Sequence, residues 1–310
     1  MSKNVINSNL LKSYGTIACV DTSYMIYHTL FSAVSKWEAE SASAVVLTDV
    51  DVDDPSFQHI DITKYLDFVE ILEDKTYQTI RRIMQIIDDY NGVTASHTIG
   101  NVLFVLDPPK QAKLKSWRYV IYPEYKGTRK SNRDKKPYDV RAVFNFISDM
   151  LLENPRFREH FNIDFVFADG CEADDLISIY FNAEQHATCK KILIASDKDY
   201  LQLENVTQMT LEGKQVMIEQ PYPDLCVLTP KTYLLAKIIT GDVSDNITQV
   251  FNRVGYKTAV KKYVNNIDFL TESLKNDQVA CEKFKRNARL IDFNKIPNKI
   301  RQIGKNVLGI

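Results

Sequence analysis

Acidic side chains recur in five separate segments: Asp21, Asp107, the run Glu172-Ala173-Asp174-Asp175, the run Asp197-Lys198-Asp199, and Asp242 with Asp245. Pooled carboxylates repel one another unless cations neutralise them, and hard divalent ions such as Mg²⁺ take oxygen ligands. Two such ions roughly 4 Å apart stabilise both the attacking and the leaving oxygens of a phosphoryl displacement. If the chain brings these residues together, the chemistry they suggest is metal-dependent phosphodiester cleavage.

The elements needed to gather them are legible. Apolar, β-branched runs occur at Thr16 to Asp21, Asn101 to Asp107, Asp164 to Asp169 and Lys191 to Asp197, and each ends in aspartate. Such runs fit buried parallel strands, with helical crossovers between them. In an open α/β sheet the ligand crevice lies beyond the carboxyl ends of the strands, where these aspartates would stand. Ile62 to Tyr90 has the apolar spacing of a core-facing crossover, and Asp139 to Leu152 reads as a helix with Asp139 as its N-cap. Trp37 to His59 is acidic and lacks the glycine and terminal glutamate of a calcium loop, so it reads as a solvated insertion.

Between residues 110 and 136 the composition turns basic and aromatic, with Lys113, Lys115, Arg118, Lys126, Arg129, Lys130 and Arg133 interleaved with Trp117 and Tyr125. Such a mixture suits phosphate neutralisation and base stacking on a single strand. From about Thr229 the pattern is wholly helical. There Gly255 separates two helical runs, and Lys257 and Thr258, with Lys261 one turn on, open the next, a turn able to hold a phosphate by backbone N–H groups. The expected domains are therefore residues 1–228, carrying the basic arch or loop at 110–136, and a helical unit at 229–310.

The 310 residues are 45% hydrophobic and 25% charged, enough for a sizeable core. A net charge of −1 excludes a globally basic coat, so nucleic-acid affinity must come from local patches. The five cysteines and five histidines show no zinc or disulfide spacing. With a polar start and no long apolar stretch, the chain reads as a soluble, cytoplasmic monomer with no membrane partner, in the host cytoplasm if phage-encoded.

Taken in order, Asp21, Asp107, YKGTR at Tyr125 to Arg129, EADD at Glu172 to Asp175, SDKD at Ser196 to Asp199 and GDVSDN at Gly241 to Asn246 resemble the flap endonuclease and 5′-3′ exonuclease superfamily. The stretch LIDFNKIPNKI, Leu290 to Ile300, is similar to its T-even-type bacteriophage ribonuclease H branch. The resemblance implies a PIN-like (Rossmann-like) α/β domain with a mostly parallel sheet, an arch over the active site, and a smaller all-helical domain with a helix-three-turn-helix element for duplex DNA. It implies a first metal site of Asp21, Asp107, Asp174 and Asp197 with Glu172 beside it and Asp175 in the same motif. Asp199, Asp242 and Asp245 would serve a second, partly through water. Lys126 and Arg129 match the residues that steer the scissile phosphate. The implied cofactors are two Mg²⁺ ions, with Mn²⁺ as a substitute and K⁺ at the hairpin turn. The implied substrates are branched or nicked duplex DNA and RNA–DNA hybrids with 5′ ends, including RNA primers of lagging-strand replication. Single-strand-binding protein and sliding clamp are the implied protein partners. Two departures stand out: His28 replaces a family arginine, and the hairpin reads Arg253-Val254-Gly255. A PIN-type endoribonuclease and a noncatalytic fork-binding protein are the rival readings.

Overall fold

The computed structural model describes residues 15–48, 50–52, 54, 57–92, 102–108, 115–127, 135–161 and 163–310. Lys113, Arg129, Lys130 and Arg133, together with Asp49, Asp53, Pro55 and Ser56 of the acidic segment, lie outside them.

Five strands, β1 (Thr16–Asp21), β2 (Val102–Val105), β3 (Ile163–Val166), β4 (Lys190–Ile194) and β5 (Val206–Met209), form one sheet in the order β3-β2-β1-β4-β5. Every pairing is parallel, with Cys19 opposite Leu103 and Ala18 opposite Ile192. Strand residues alternate between two cores, as the two-residue period of a strand requires. Ala18, Val20, Phe104, Phe165 and Ile192 face one core; Ile17, Cys19, Leu103, Val105 and Leu193 face the other. The fifth strand, β5, has no counterpart among the expected runs, because Val-Thr-Gln-Met is short and half polar and lies at the sheet edge.

The first core is covered by α1 (Thr22–Glu40), α2 (Leu66–Asn91) and α4 (Val140–Glu153). Two short helices, α3 (Arg118–Ile121) and α5 (Pro155–Phe161), flank α4 in sequence. Asp139 caps α4 by accepting from the N–H groups of Arg141 and Ala142. Helix α1 runs further than the sequence suggests. Trp37, expected to open a solvated insertion, is completely buried among Tyr65 and Phe68, and its indole N–H donates to Asp67 at 2.9 Å. The charges that follow it masked an apolar position of a continuing helix.

The second core is covered by α6 (Ala173–Phe181) and by the last helix of the chain. The helical part comprises α7 (Pro230–Thr240), α8 (Tyr256–Ala259) running into a π turn at Val260–Val264, α9 (Ile267–Asn276), α10 (Gln278–Ile291) and α11 (Asn298–Leu308). Leu228, Ala236, Ile239, Val260 and Tyr263 give it a core of its own. Phe293, Ile296 and Leu308 return to the sheet and pack under α6. Gly304 permits this approach, since a Cβ there would stand 2.6 Å from Ile179 Cδ1.

Trp37→Ala should destabilise the fold by about 3–5 kcal/mol, the range for emptying a buried aromatic site. Glu38→Ala, on the exposed side of the same turn, should stay within about 0.5 kcal/mol. Denaturant titration compares them, and equal effects would contradict the burial of Trp37.

Candidate metal centre

The sheet order reverses between β1 and β4, so a crevice opens where their carboxyl ends diverge. Asp21 ends β1 and caps α1, one oxygen accepting the Tyr24 N–H at 3.2 Å and the other the Tyr200 O–H at 3.1 Å. Burial and the neighbouring Asp107 push its carboxyl up to about 6. Asp107, two residues past β2, accepts from the Ala173 N–H at 2.9 Å and the Ser23 hydroxyl at 3.2 Å. Asp197 caps the 3₁₀ turn Lys198–Gln202 through the Asp199 N–H at 2.9 Å. Asp197 is exposed, yet the surrounding protein and then Asp21 and Asp245 raise its carboxyl. Elevation of one carboxyl by another is what like charges brought near each other produce.

The EADD motif begins α6 and is fastened from below by Arg118. This guanidinium is 2% exposed and reaches Glu172 at 3.0 Å, Asp174 at 3.2 Å and Asp175 at 3.1 Å, while its Nε donates to the Leu290 carbonyl at 3.0 Å. Trp117, buried beside it, donates its indole N–H to Asp175 at 3.0 Å. Tyr125 is equally enclosed, and its hydroxyl lies 2.9 Å from both Glu172 and Asp245. These positions correct the expectation that Trp117, Arg118 and Tyr125 face nucleic acid. With every polar group engaged inside, they offer no phosphate donor and no open ring face. Asp175 is also corrected. Completely buried, it accepts the Glu172 N–H at 3.0 Å in a capping box and pairs with Arg118, which is a fastening role and not that of the expected metal ligand. Asp174 differs: Oδ2 meets Arg118, but Oδ1 is buried with no hydrogen-bond partner, and burial raises its carboxyl well above the usual range.

Lys126 stands at the lip. Its φ of 56° is unusual for a side-chain-bearing residue and is held by its N–H on the Asp245 carbonyl at 2.9 Å. The ammonium reaches Glu172 at 3.0 Å and lies over the Tyr125 ring. Burial opposes ionisation of Glu172, but Lys126 and Arg118 outweigh it and hold the carboxyl below its ordinary value.

The remaining acids meet a residue that the sequence reading missed. Lys237, in the last turn of α7, bridges Asp199 at 2.5 Å and Asp242 at 2.8 Å. Burial and Asp197 push Asp199 up to about 6, whereas Lys237 overcomes burial at Asp242 and keeps it low. The missed signal was spacing: Lys237 lies five residues before Asp242 on a helix that packs against the SDKD turn. Gly241, at φ 67°, makes the turn between them, and a Cβ there would collide with the Ile247 carbonyl and approach Thr248 C to 2.7 Å.

Among the described residues no three histidine, cysteine or acidic side chains are grouped closely enough to hold a metal ion as they stand, and Arg118, Lys126 and Lys237 pair with several of the acids. The donor set nonetheless fits hard cations: all oxygens, several carboxyls raised by one another, and one orphaned buried oxygen on Asp174. An open groove of about 1780 Å³ runs from Asp107, Lys126 and Glu172 past Lys136, Arg141 and Phe144. In the helical unit, Gly255, Lys257 and Thr258 are exposed at the start of α8 and Lys261 in the π turn that follows it, as is Lys115 before α3. His28 is exposed and lies 3.7 Å from Glu212.

An acid-lined switch point in a PIN-like parallel sheet, roofed by a lysine and continued by a helical unit, defines a nuclease-type architecture. The sequence profile described as the 5′-3′ exonuclease N-terminal resolvase-like domain matches residues 65–223, and the chain belongs to this family of nucleases. A 5′-3′ exonuclease of Buchnera aphidicola is 24% identical over 216 residues, covering 64% of this chain and 69% of that protein. DNA polymerase I of Streptococcus pneumoniae is 28% identical over 180 residues, covering 56% of this chain and 19% of the polymerase. The chain therefore spans about a fifth of that polymerase. Bacteriophage T5 5′-exonuclease with bound zinc superposes at TM-score 0.58 with 15% identity, covering 95% of this chain and 99% of that one. Bacteriophage T5 flap endonuclease in a complex with DNA and metal ions superposes at 0.57 with 16% identity, covering 95% and 98%.

Lys237→Ala should destabilise the metal-free protein by on the order of 3 kcal/mol, because two partly buried carboxylates lose their shared counter-charge. Adding Mg²⁺ should recover more melting temperature in this variant than in the wild type. An unchanged melting temperature in chelator would remove Lys237 from the site.

Proposed function

We propose that the protein is a divalent-metal-dependent, structure-specific 5′ nuclease that hydrolyses phosphodiesters at 5′ ends and flaps, including RNA primers and the adjoining DNA. The observation that carries this reading is the set of acids at the carboxyl ends of β1, β2 and β4 and the start of α6: Asp21 raised by burial and Asp107, Asp197 raised by burial and Asp21, and Asp174 with an orphaned buried oxygen, beside a groove lined by Asp107, Glu172 and Lys126. Metal ions present in the T5 relatives support it.

Asp21, Asp107, Asp174 and Asp197 would hold one divalent ion with Glu172 beside it, and Asp199, Asp242 and Asp245 a second. Bound Mg²⁺, or Mn²⁺ in its place, supplies charge neutralisation and acidifies water at neutral pH. The chain's own residues do the rest. Lys126, already poised over Glu172, stabilises negative charge on the transferring phosphoryl group once substrate displaces it from that pairing. Arg129 shares this task in the reading drawn from the motif. Lys115, with Lys113, Lys130 and Arg133, neutralises the 5′ strand, and Gly255, Lys257, Thr258 and Lys261 hold duplex phosphates beyond the junction, with K⁺ at the hairpin turn. These contacts go to backbone and not to base edges, so substrates are chosen by shape.

Asp197→Asn should abolish Mg²⁺-dependent cleavage of a 5′-labelled flap duplex while DNA binding in Ca²⁺ or chelator stays within a few-fold of wild type. A variant that cuts at the wild-type rate would overturn the assignment. Product lengths from flap, nicked and RNA-primed duplexes report the mode of attack in the same assay.

A further inference from the structure

One motif of the sequence is not absorbed by the nuclease reading: the stretch that ends α10 and precedes α11. Its residues connect, directly or through one intermediate side chain, to the segments that carry Asp21, Glu172 to Asp175, Asp199, and Asp242 with Asp245. Asn287, completely buried, donates to the carbonyls of Ile238 at 3.1 Å and Thr248 at 2.8 Å, which flank the turn carrying Asp242 and Asp245. The Leu290 carbonyl receives Arg118, which clamps Glu172, Asp174 and Asp175. The Ile291 carbonyl and the Phe293 N–H are bound by one carboxamide, that of Gln202, at 3.0 and 2.9 Å. The same Gln202 Nε2 lies 3.0 Å from the Asp199 carbonyl. Finally the Phe293 ring packs 6.1 Å from that of Tyr200, whose hydroxyl donates to Asp21.

We propose that Asn287–Phe293 is a positioning strut that sets the spacing of the acid-bearing segments, and so their affinity for divalent cations, with Gln202 and Asn287 as its positioning residues. The proposal rests on the metal reading above. Its physical basis is that carboxylates around a cation site repel and will spread unless their backbones are tied to a common rigid element. Buried carbonyls at the end of α10 need donors, and the donors they receive come from the acid-bearing segments themselves or from residues that bind them. A helix end far along the chain thereby becomes the shared anchor of segments separated by more than a hundred residues. Outer partners of this kind tune metal affinity without touching the ion.

The test uses the full chain and Mn²⁺ alone as probe. Gln202→Met keeps the volume and removes all three amide bonds, while the milder Gln202→Glu keeps an acceptor for the Phe293 N–H. Ile87→Ala, in the core on the far face of the sheet, controls for lost stability. Calorimetry without DNA should show Mn²⁺ binding weakened about 10-fold or more in Gln202→Met and in Asn287→Leu, less in Gln202→Glu, and unchanged in Ile87→Ala. Half-saturating Mg²⁺ for flap cleavage should rise by a similar factor, with a smaller fall in rate at saturating Mg²⁺. Wild-type Mn²⁺ affinity in folded Gln202→Met and Gln202→Glu, or an equal loss in Ile87→Ala, would overturn the strut. A wild-type protein that neither binds Mn²⁺ nor cleaves would instead defeat the metal reading and the strut with it.

Discussion

A single buried guanidinium governs the geometry of this site. Arg118 is nearly inaccessible to solvent and faces three carboxylates of α6 and one carbonyl of α10. Its planar fork suits this role, because several acceptors can be met in fixed directions that a flexible ammonium could not impose. Taking such charges out of water is costly, and only the mutual attraction and complete hydrogen bonding offset it. The positive end of α6 adds a favourable field for the acids at its first turn. Without Arg118, Glu172, Asp174 and Asp175 would repel at close range. Because Arg118 opens the short helix α3, it also fixes where the chain re-emerges, and Tyr125 and Lys126 follow within two turns at the lip of the groove.

The strands and their terminal acids were legible because hydrophobic burial leaves a simple mark: a run apolar on both faces, closed by a polar residue where the sheet ends. The placement of Asp21 and Asp197 beyond the carboxyl ends of their strands followed from the same reasoning, whereas the strand order that makes this a switch point came from the structure. What sequence could not convey was direction. The run from Lys113 to Arg133 has one composition but mixes residues that serve opposite sides. Trp117, Arg118 and Tyr125 turn inward to the acids, and Lys115 faces solvent. Periodicity is too short there to separate the two faces, since α3 spans only Arg118–Ile121. Lys237 was hidden for a related reason. On a helix taken as part of a separate unit, a lysine reads as a solvated charge until tertiary packing brings Asp199 against it. The short polar edge strand β5 and the return of α11 to the sheet are likewise products of packing, not of local pattern.

The three cations of the site differ in what they can do, and exposure separates them. Arg118 has nowhere to go: its side chain is 2% exposed and every direction ends in a partner. Lys126 and Lys237 are 18% and 17% exposed, on flexible stems that can swing toward the groove. The arrangement is therefore a fixed counter-charge beneath and two exchangeable ones above. In the absence of divalent ions, the lysines hold Glu172, Asp199 and Asp242 in a compact state that bare carboxylates would not sustain. On the proposed reading, Glu172, Asp199 and Asp242 would help hold a divalent ion that supplies the charge neutralisation, and Lys126 and Lys237 would then be free to meet another anion. In the proposed reaction that anion would be the substrate phosphate, so the lysines that neutralise the acids would also be the ones that grip the substrate. On that reading the coupling would be an exchange of one cation for another against a backbone tied to the end of α10 by Arg118, Gln202 and Asn287.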